Sequence, residues 1–149
     1  MAHCSPMVKQ SDKSEKRPHA VIIHGLNHAR VACLVAGECH VAIELHSAPN
    51  AAASLGPHWF QKILEEIETE FPDLQVSAIL DCGSSAGFAM AALRQGIRHI
   101  RFSGRGKTLE KIRDMAHQQK AIVHTRWPKA LDLGHEADPD TACRNRFAK

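Results

Sequence analysis

The sequence has few of the residues and motifs that would identify a function class directly. Tyrosine is absent, and aromatic residues make up only 5% of the 149 residues. The formal net charge of +3 is therefore not accompanied by the basic, aromatic-rich surface of many nucleic-acid-binding domains. No apolar run approaches the roughly 20 residues of a membrane-spanning helix, and residues 1–18 lack the apolar core of a signal peptide. We therefore expect a cytoplasmic protein that binds neither nucleic acid nor a membrane.

The common metal and nucleotide motifs are also missing. The five cysteines (Cys4, Cys33, Cys39, Cys82 and Cys143) form no CxxC pair, which argues against a structural zinc site. In a reducing compartment we expect them to be thiols rather than disulfides. The segment before Lys107-Thr108 resembles the end of a P-loop, but the first glycine of that motif would fall at Arg101, so nucleotide hydrolysis is not indicated. The sequence does not tell which cofactor, if any, the protein uses.

What is present is a repeated alternation of short apolar strands and amphipathic helices. About five strands and four helices alternate, and the segment from Val76 to Gly104 reads as one complete βαβ crossover. Crossovers of this kind join parallel strands. We predict one α/β domain over residues 19–133, between a disordered N-terminal tail (1–18) and a loosely ordered C-terminal tail (134–149).

The side chains of the predicted strands alternate between an apolar face and a mixed face. The mixed face includes Glu44 and Arg101 in the middle of strands, whereas a sheet with helices on both faces has strands that are apolar throughout. This pattern favours a partial TIM-barrel-like arrangement, with helices on one side and polar groups on the other. A complete barrel takes about 250 residues, so we expect the fragment to be closed by a second copy or by its own termini. A flavodoxin-like, doubly wound three-layer sheet is the alternative.

The stretch HARVACLVAGECHVAIELHSAPNAA from His28, with the later block AALRQGIRHIRFSG, resembles the first half of KDPG-type aldolases. The resemblance covers roughly residues 20 to 104. It implies a TIM-barrel architecture and a lyase acting on a phosphorylated keto-acid. In this sequence Ala42 stands where the family has its catalytic Glu, and His46 where the family has a basic residue that binds the substrate carboxylate. The Schiff-base lysine of the family has no counterpart.

Four polar residues on the mixed face are the candidate catalytic groups: Glu44, His46, Asp81 and Arg101. Functional loops of parallel sheets lie at the carboxyl ends of the strands, where His46 and Asp81 fall. Two interpretations of Glu44 and Arg101 are open. In the first, the two residues form an internal ion pair that stabilises the sheet. In the second, Arg101 binds an anion and Glu44 acts as a general acid or base.

Two turns are candidate anion-binding segments, because each leads from a strand into the start of a helix. The first contains Gly83, Ser84 and Ser85, and its structural alternative is a plain turn in which Asp81 and Ser84 cap the helix. The second contains Ser103, Gly104, Arg105 and Lys107, and its alternative is an exposed basic turn.

No metal site is predicted. Four residues at strand ends are weak candidate ligands, since imidazole and carboxylate groups suit zinc if they converge: His24, His46, Asp81 and His124. Cys82 lies at a helix N-terminus, where a thiol pKa can be lowered, but a buried structural thiol is the favoured interpretation.

Two functional hypotheses follow, and the sequence does not decide whether the protein is an enzyme. In the first, the protein binds or acts on a small anionic metabolite, phosphorylated or carboxylate, as an aldolase- or lyase-like barrel fragment. In the second, it is a noncatalytic α/β protein whose polar sheet face is a dimer or partner interface. We expect a homo-oligomer in either case.

Overall fold

The computed structural model describes residues 17–148. Within that range the strands are β1 (His19–Ile23), β2 (Ile43–Ser47), β3 (Val76–Asp81), β4 (His99–Arg101), β5 (Ile122–His124) and β6 (Leu131–Asp132). The helices are α1 (Leu26–Cys39), α2 (Ala51–Ser54), α3 (Pro57–Glu70), α4 (Ala86–Gln95), α5 (Gly106–Gln118) and α6 (Pro139–Phe147), and a 3-10 turn covers Leu133–His135. Across this range no helix combines the length and apolar character needed to cross a membrane.

The strands form one open, all-parallel sheet in the order β5-β4-β3-β2-β1-β6. The predicted fold class, α/β with parallel βα repeats, is therefore confirmed. From β1 to β5 each strand lies beside the next one in the chain, as successive strands do in a βα barrel. The sheet is not closed, because β5 and β6 lie at opposite edges.

The long helices form a single row that follows the strand order. Helix α6 contacts α1, α1 contacts α3, α3 contacts α4, and α4 contacts α5. Because βα crossovers are right-handed, a sequential strand order places successive helices on the same side of the sheet. The sheet side chains under the helices are buried and apolar, as the alternation predicts: Val21, Ile23, Ile43, Leu45, Leu80, Ile100 and Phe102. The opposite face, which carries the mixed set of side chains, has no helix layer among these contacts.

The C-terminal region differs from the prediction. The loosely ordered tail expected over residues 134–149 is wrong for Pro139–Phe147, which form α6. Asp138 caps this helix by accepting a hydrogen bond from the Thr141 amide at 3.3 Å, and Pro139 occupies the first turn. Cys143 and Phe147 are fully or almost fully buried, so α6 belongs to the domain core. The predicted N-terminal tail lies outside the described residues, except for residues 17 and 18.

Residues 125–130 connect β5 to β6 and must therefore pass from one edge of the sheet to the other; we call this segment the strap. The two edges are five strand spacings apart, about 24 Å at about 4.8 Å per spacing in a flat sheet. Seven Cα steps of about 3.5 Å reach the same distance only when the chain is almost fully extended. Because a parallel sheet twists and curls, the true span is shorter; the contacts described below place the strap over the face without helices.

Candidate functional site

The four predicted catalytic residues lie together on the face that the helices leave uncovered. We call Glu44, His46, Asp81 and Arg101 the polar cluster. Asp81 and Arg101 are direct partners across the β3–β4 pair, and Glu44 and His46 lie two residues apart on β2. His46, Asp81 and Arg101 are 0%, 5% and 2% exposed, which is rare for ionisable groups unless they are paired.

Arg101 is the centre of the cluster, and its guanidinium has a different neighbour on each side. Its Nε donates to the carbonyl oxygen of Arg126 at 3.1 Å, and its Nη2 donates to Nδ1 of His46. Its Cζ lies 3.6 Å from the ring centroid of Trp127, a stacked cation–π contact. The third nitrogen, Nη1, is 3.6 Å from Oδ1 of Asp81, which is an ion pair but too long for a hydrogen bond. Nη1 is buried and has no hydrogen-bond partner.

His46 connects Arg101 to Glu44. Because Nδ1 accepts a hydrogen bond from Arg101, the ring proton lies on Nε2, which donates to Oε1 of Glu44 at 2.7 Å. Both nitrogens of His46 are therefore engaged, and the ring holds Arg101 in position instead of offering a free base. The hydrogen bond from His46 lowers the pKa of Glu44 below its ordinary value. At neutral pH Glu44 is thus a carboxylate, suited to accept a proton and not to donate one.

Asp81 is fixed by the end of β2 and the loop after it. Its Oδ2 accepts a hydrogen bond from the Asn50 amide at 2.7 Å, and its own amide donates to Oγ of Ser47 at 2.9 Å. The Ser47 hydroxyl in turn donates to the carbonyl of Ala48 at 3.1 Å. Asp81 therefore does not cap α4, contrary to the structural alternative derived from the sequence.

Two further histidines lie beside the cluster on the same face. Nδ1 of His99 and Nε2 of His124 are 3.0 Å apart, so one ring donates to the other. Burial is the main cause that lowers the pKa of each, and for His124 the neighbouring His99 adds to it. The negative charge of Glu44 raises the pKa of both rings, but the effect of burial is larger. The pair is therefore neutral near pH 7.

The first predicted anion-binding turn is largely occupied by its own hydrogen bonds. Ser85 caps α4, with its Oγ accepting from the Phe88 amide at 3.2 Å, and the Gly83 carbonyl accepts from the Ser103 amide at 2.8 Å. Gly83 has a φ of +60°, and a Cβ there would lie 1.9 Å from Oδ1 of Asn50. Ser84 is exposed.

The second predicted turn is exposed and basic. Ser103, Arg105 and Lys107 are all exposed, and Arg105 precedes α5 without making a side-chain cap. Gly104 is needed where it stands, because a Cβ would lie 2.3 Å from the ring of Phe102. Both turns follow the strand positions of Asp81 and Arg101 in the chain, but their described hydrogen bonds do not include the side chains of the polar cluster.

The four weak metal candidates are not brought together. His24 pairs with Asp132 at 2.7 Å beyond β1, and His124 pairs with His99, while His46 and Asp81 belong to the polar cluster. Among residues 17–148 no group of three or more histidine, cysteine, aspartate or glutamate side chains is arranged to hold a metal ion.

Cys82 has the properties of a structural thiol. It is 1% exposed, and burial raises the pKa of its thiol to about 12. The neighbouring carboxylate of Asp81 adds to this shift. A thiol with this pKa is almost entirely protonated at neutral pH and is a poor nucleophile.

Two clefts open at the amino ends of the strands, and the first extends to Ser77 and His99, beside the polar cluster. One of about 650 Å³ is lined mainly by α3 and the starts of β3 and β4, and one of about 550 Å³ lies beside it near residues 70–75. Their charged lining residues, such as Glu65, Glu68 and Arg98, are exposed. We place the candidate site at the polar cluster because buried ionisable groups converge there.

Two contributors to the site were not foreseen from the sequence, Trp127 and the backbone carbonyl of Arg126. Both come from the strap, and the only signal for them was a single tryptophan in an otherwise polar stretch.

The structure defines an all-parallel α/β protein in which helices cover one sheet face and a polar cluster lies on the other. No family model matches the sequence, and a comparison with curated proteins finds no similar one.

Proposed function

We propose that the protein binds a small anionic metabolite, a carboxylate or a phosphate, at the polar cluster. The observation that supports this most is the buried Nη1 of Arg101, which has no hydrogen-bond partner although the other two guanidinium nitrogens are satisfied. A buried donor without an acceptor costs about 1–3 kcal/mol. An anionic oxygen of a ligand would remove this cost and form a charge-assisted hydrogen bond.

The charges around Arg101 favour a carboxylate over a phosphate dianion. The cluster holds one guanidinium and two carboxylates, those of Asp81 and Glu44, while Nδ1 of His46 accepts a hydrogen bond from Arg101. A phosphate dianion would add two negative charges beside these carboxylates, whereas a carboxylate adds one. Repulsion between like charges weakens binding in a partly buried site, so the dianion is the less favourable ligand.

Any reaction at this site would use Glu44 as the proton acceptor, since its lowered pKa keeps it ionised. The resemblance to KDPG-type aldolases makes a lyase-like reaction of a carboxylate ligand part of the proposal. The polar cluster contains no lysine, so this proposal involves proton transfer and not a Schiff base.

Titration calorimetry with pyruvate, phosphoglycolate and inorganic phosphate tests the proposal. We expect pyruvate to bind the wild-type protein and to raise its melting temperature. Arg101→Gln should abolish binding under conditions where its circular dichroism matches that of the wild type, and Arg105→Gln, at the exposed basic turn, should leave binding unchanged. Loss of binding only in the Arg105 variant would move the site to that turn. No binding of any of the three compounds would contradict the proposal.

A second candidate function is a homodimer or partner interface formed by the uncovered sheet face. Ile122 on the edge strand β5 and Trp127 on the strap are 53% and 42% exposed, which is high for large apolar side chains. Sedimentation velocity of the wild type and of Ile122→Asp tests this interface: a dimer that dissociates in the variant supports it.

The expected cytoplasmic location belongs to the metabolite proposal and is tested by cell fractionation.

A further inference from the structure

We infer that the strap, residues 125–130, is a built-in competitor for Arg101, and that the ligand binds by displacing it. This inference rests on the proposed function, because it describes how an anion would gain access to the same guanidinium. It concerns a different part of the chain, however, and makes predictions of its own.

The described contacts of the strap with the sheet centre on Arg101. Among the contacts described for residues 17–148, its attachments to β4 are the Arg126 carbonyl, which accepts from Nε of Arg101, and the Trp127 ring, which stacks on the guanidinium. Trp127 also lies beside His46, with ring centroids 6.2 Å apart. None of the described backbone hydrogen bonds involves an amide or carbonyl of residues 125–130. Arg101 thus holds both the strap and, by our proposal, the ligand.

The strap is otherwise exposed to solvent. Residues 125–129 are all exposed, although Trp127 covers Arg101, a side chain that is only 2% exposed. A segment with few contacts and an exposed backbone opens at low free-energy cost. Arg101 itself remains held by His46 and Asp81 when the strap leaves, so the cation stays in position.

Access to Nη1 requires this movement. The atom is buried beneath its neighbours, so an anionic oxygen cannot reach it while the Trp127 ring lies 3.6 Å from the guanidinium carbon. The Arg126 carbonyl is a neutral acceptor, and a carboxylate forms a stronger, charge-assisted hydrogen bond with the same group. The charge-assisted hydrogen bond at Nη1 therefore favours the ligand, whereas loss of the Arg126 carbonyl from Nε and loss of the cation–π contact oppose it.

Trp127 is also the reporter for the test. The chain has two tryptophans, and Trp59→Phe leaves Trp127 as the single emitter. In this background we expect pyruvate to change the emission of Trp127 in a saturable manner, with the same dissociation constant as calorimetry. An emission that stays constant while calorimetry records binding would overturn the inference and leave the proposed function intact.

Two variants weaken the strap in different ways. Trp127→Ala removes the stacking contact, worth about 0.5–2 kcal/mol, and should tighten pyruvate binding by about 2- to 30-fold. Insertion of two glycines between Lys129 and Ala130 keeps Trp127 but lengthens the segment that must be ordered when the strap closes, and should also tighten binding. Two glycines inserted between Pro72 and Asp73, in an exposed turn at the other end of the sheet, serve as the matched control and should leave affinity unchanged.

The outcomes separate the two claims. Tighter binding in both strap variants, with unchanged circular dichroism, supports the inference. Affinity that is equal to or weaker than wild type in both would overturn it, since Trp127 would then be part of the binding wall. If pyruvate and phosphate bind neither wild type nor any strap variant, the proposed function and the strap inference both fail.

Discussion

Replacing Arg101 by Met should destabilise the protein strongly, since Arg101 is the only cation of the polar cluster. At 3.6 Å and an effective dielectric constant of about 20, the attraction between Arg101 and Asp81 is about 5 kcal/mol before desolvation is subtracted. Removing one partner of a buried ion pair costs about 3–5 kcal/mol, because the remaining charge is left uncompensated. His46 and the Arg126 carbonyl would also lose their donor.

Urea denaturation followed by circular dichroism measures this cost. We expect the free energy of unfolding to fall by about 3–5 kcal/mol in Arg101→Met and by a similar amount in Asp81→Asn. The double variant should cost clearly less than the sum, because the two residues interact directly. Arg101→Lys keeps the charge and should lie between wild type and Arg101→Met. A loss below about 1 kcal/mol in Arg101→Met, or strictly additive effects, would refute the reasoning.

Three further predictions follow from the surroundings of the cluster. Gly104→Ala should lower the free energy of unfolding by about 2 kcal/mol or more, because its Cβ would lie 2.3 Å from the buried ring of Phe102, whereas Gly106→Ala, with a φ of +63° and free space, should cost only about 1 kcal/mol; equal losses in thermal denaturation would contradict this. His99 and His124 have folded pKa values below the ordinary 6.5, so the stability that they contribute is present above pH 6.5 and is lost as the pH falls below that value. His124→Gln should therefore flatten the curve of unfolding free energy against pH below pH 6.5. An unchanged slope in this variant would contradict the prediction. Cys82, with a pKa near 12, should resist iodoacetamide in the native protein at pH 7 and react after unfolding, which peptide mass spectrometry can follow; rapid native labelling would disprove its structural role.

Residue patterning was sufficient for the sheet and for the polar cluster. Alternation along β2, β3 and β4 placed Glu44, Asp81 and Arg101 on one face, because side chains of a strand point alternately to its two sides. Parallel pairing then brings the carboxyl ends of those strands together, so residues far apart in sequence become neighbours. Only local rules and the parallel arrangement were required.

The region after β5 could not be predicted in the same way. Strand β6 has two residues, too few to show a period, and its position beside β1 depends on a pairing distant in sequence. The strap carries no periodic pattern at all, and its contact with Arg101 arises only because β5 and β6 lie at opposite edges. Helix α6 did have local signals, Asp138 and Pro139 at its start, but its low apolar content concealed it.

The most direct test of the account is calorimetric titration of pyruvate into the wild-type protein and into Arg101→Lys. The lysine keeps the positive charge but cannot present the third guanidinium nitrogen beside Asp81 while it also bonds His46 and the strap. We predict saturable binding to the wild type and at least tenfold weaker binding to the variant. Equal affinity in the two proteins would contradict the claim that Nη1 of Arg101, which has no hydrogen-bond partner, is the binding group.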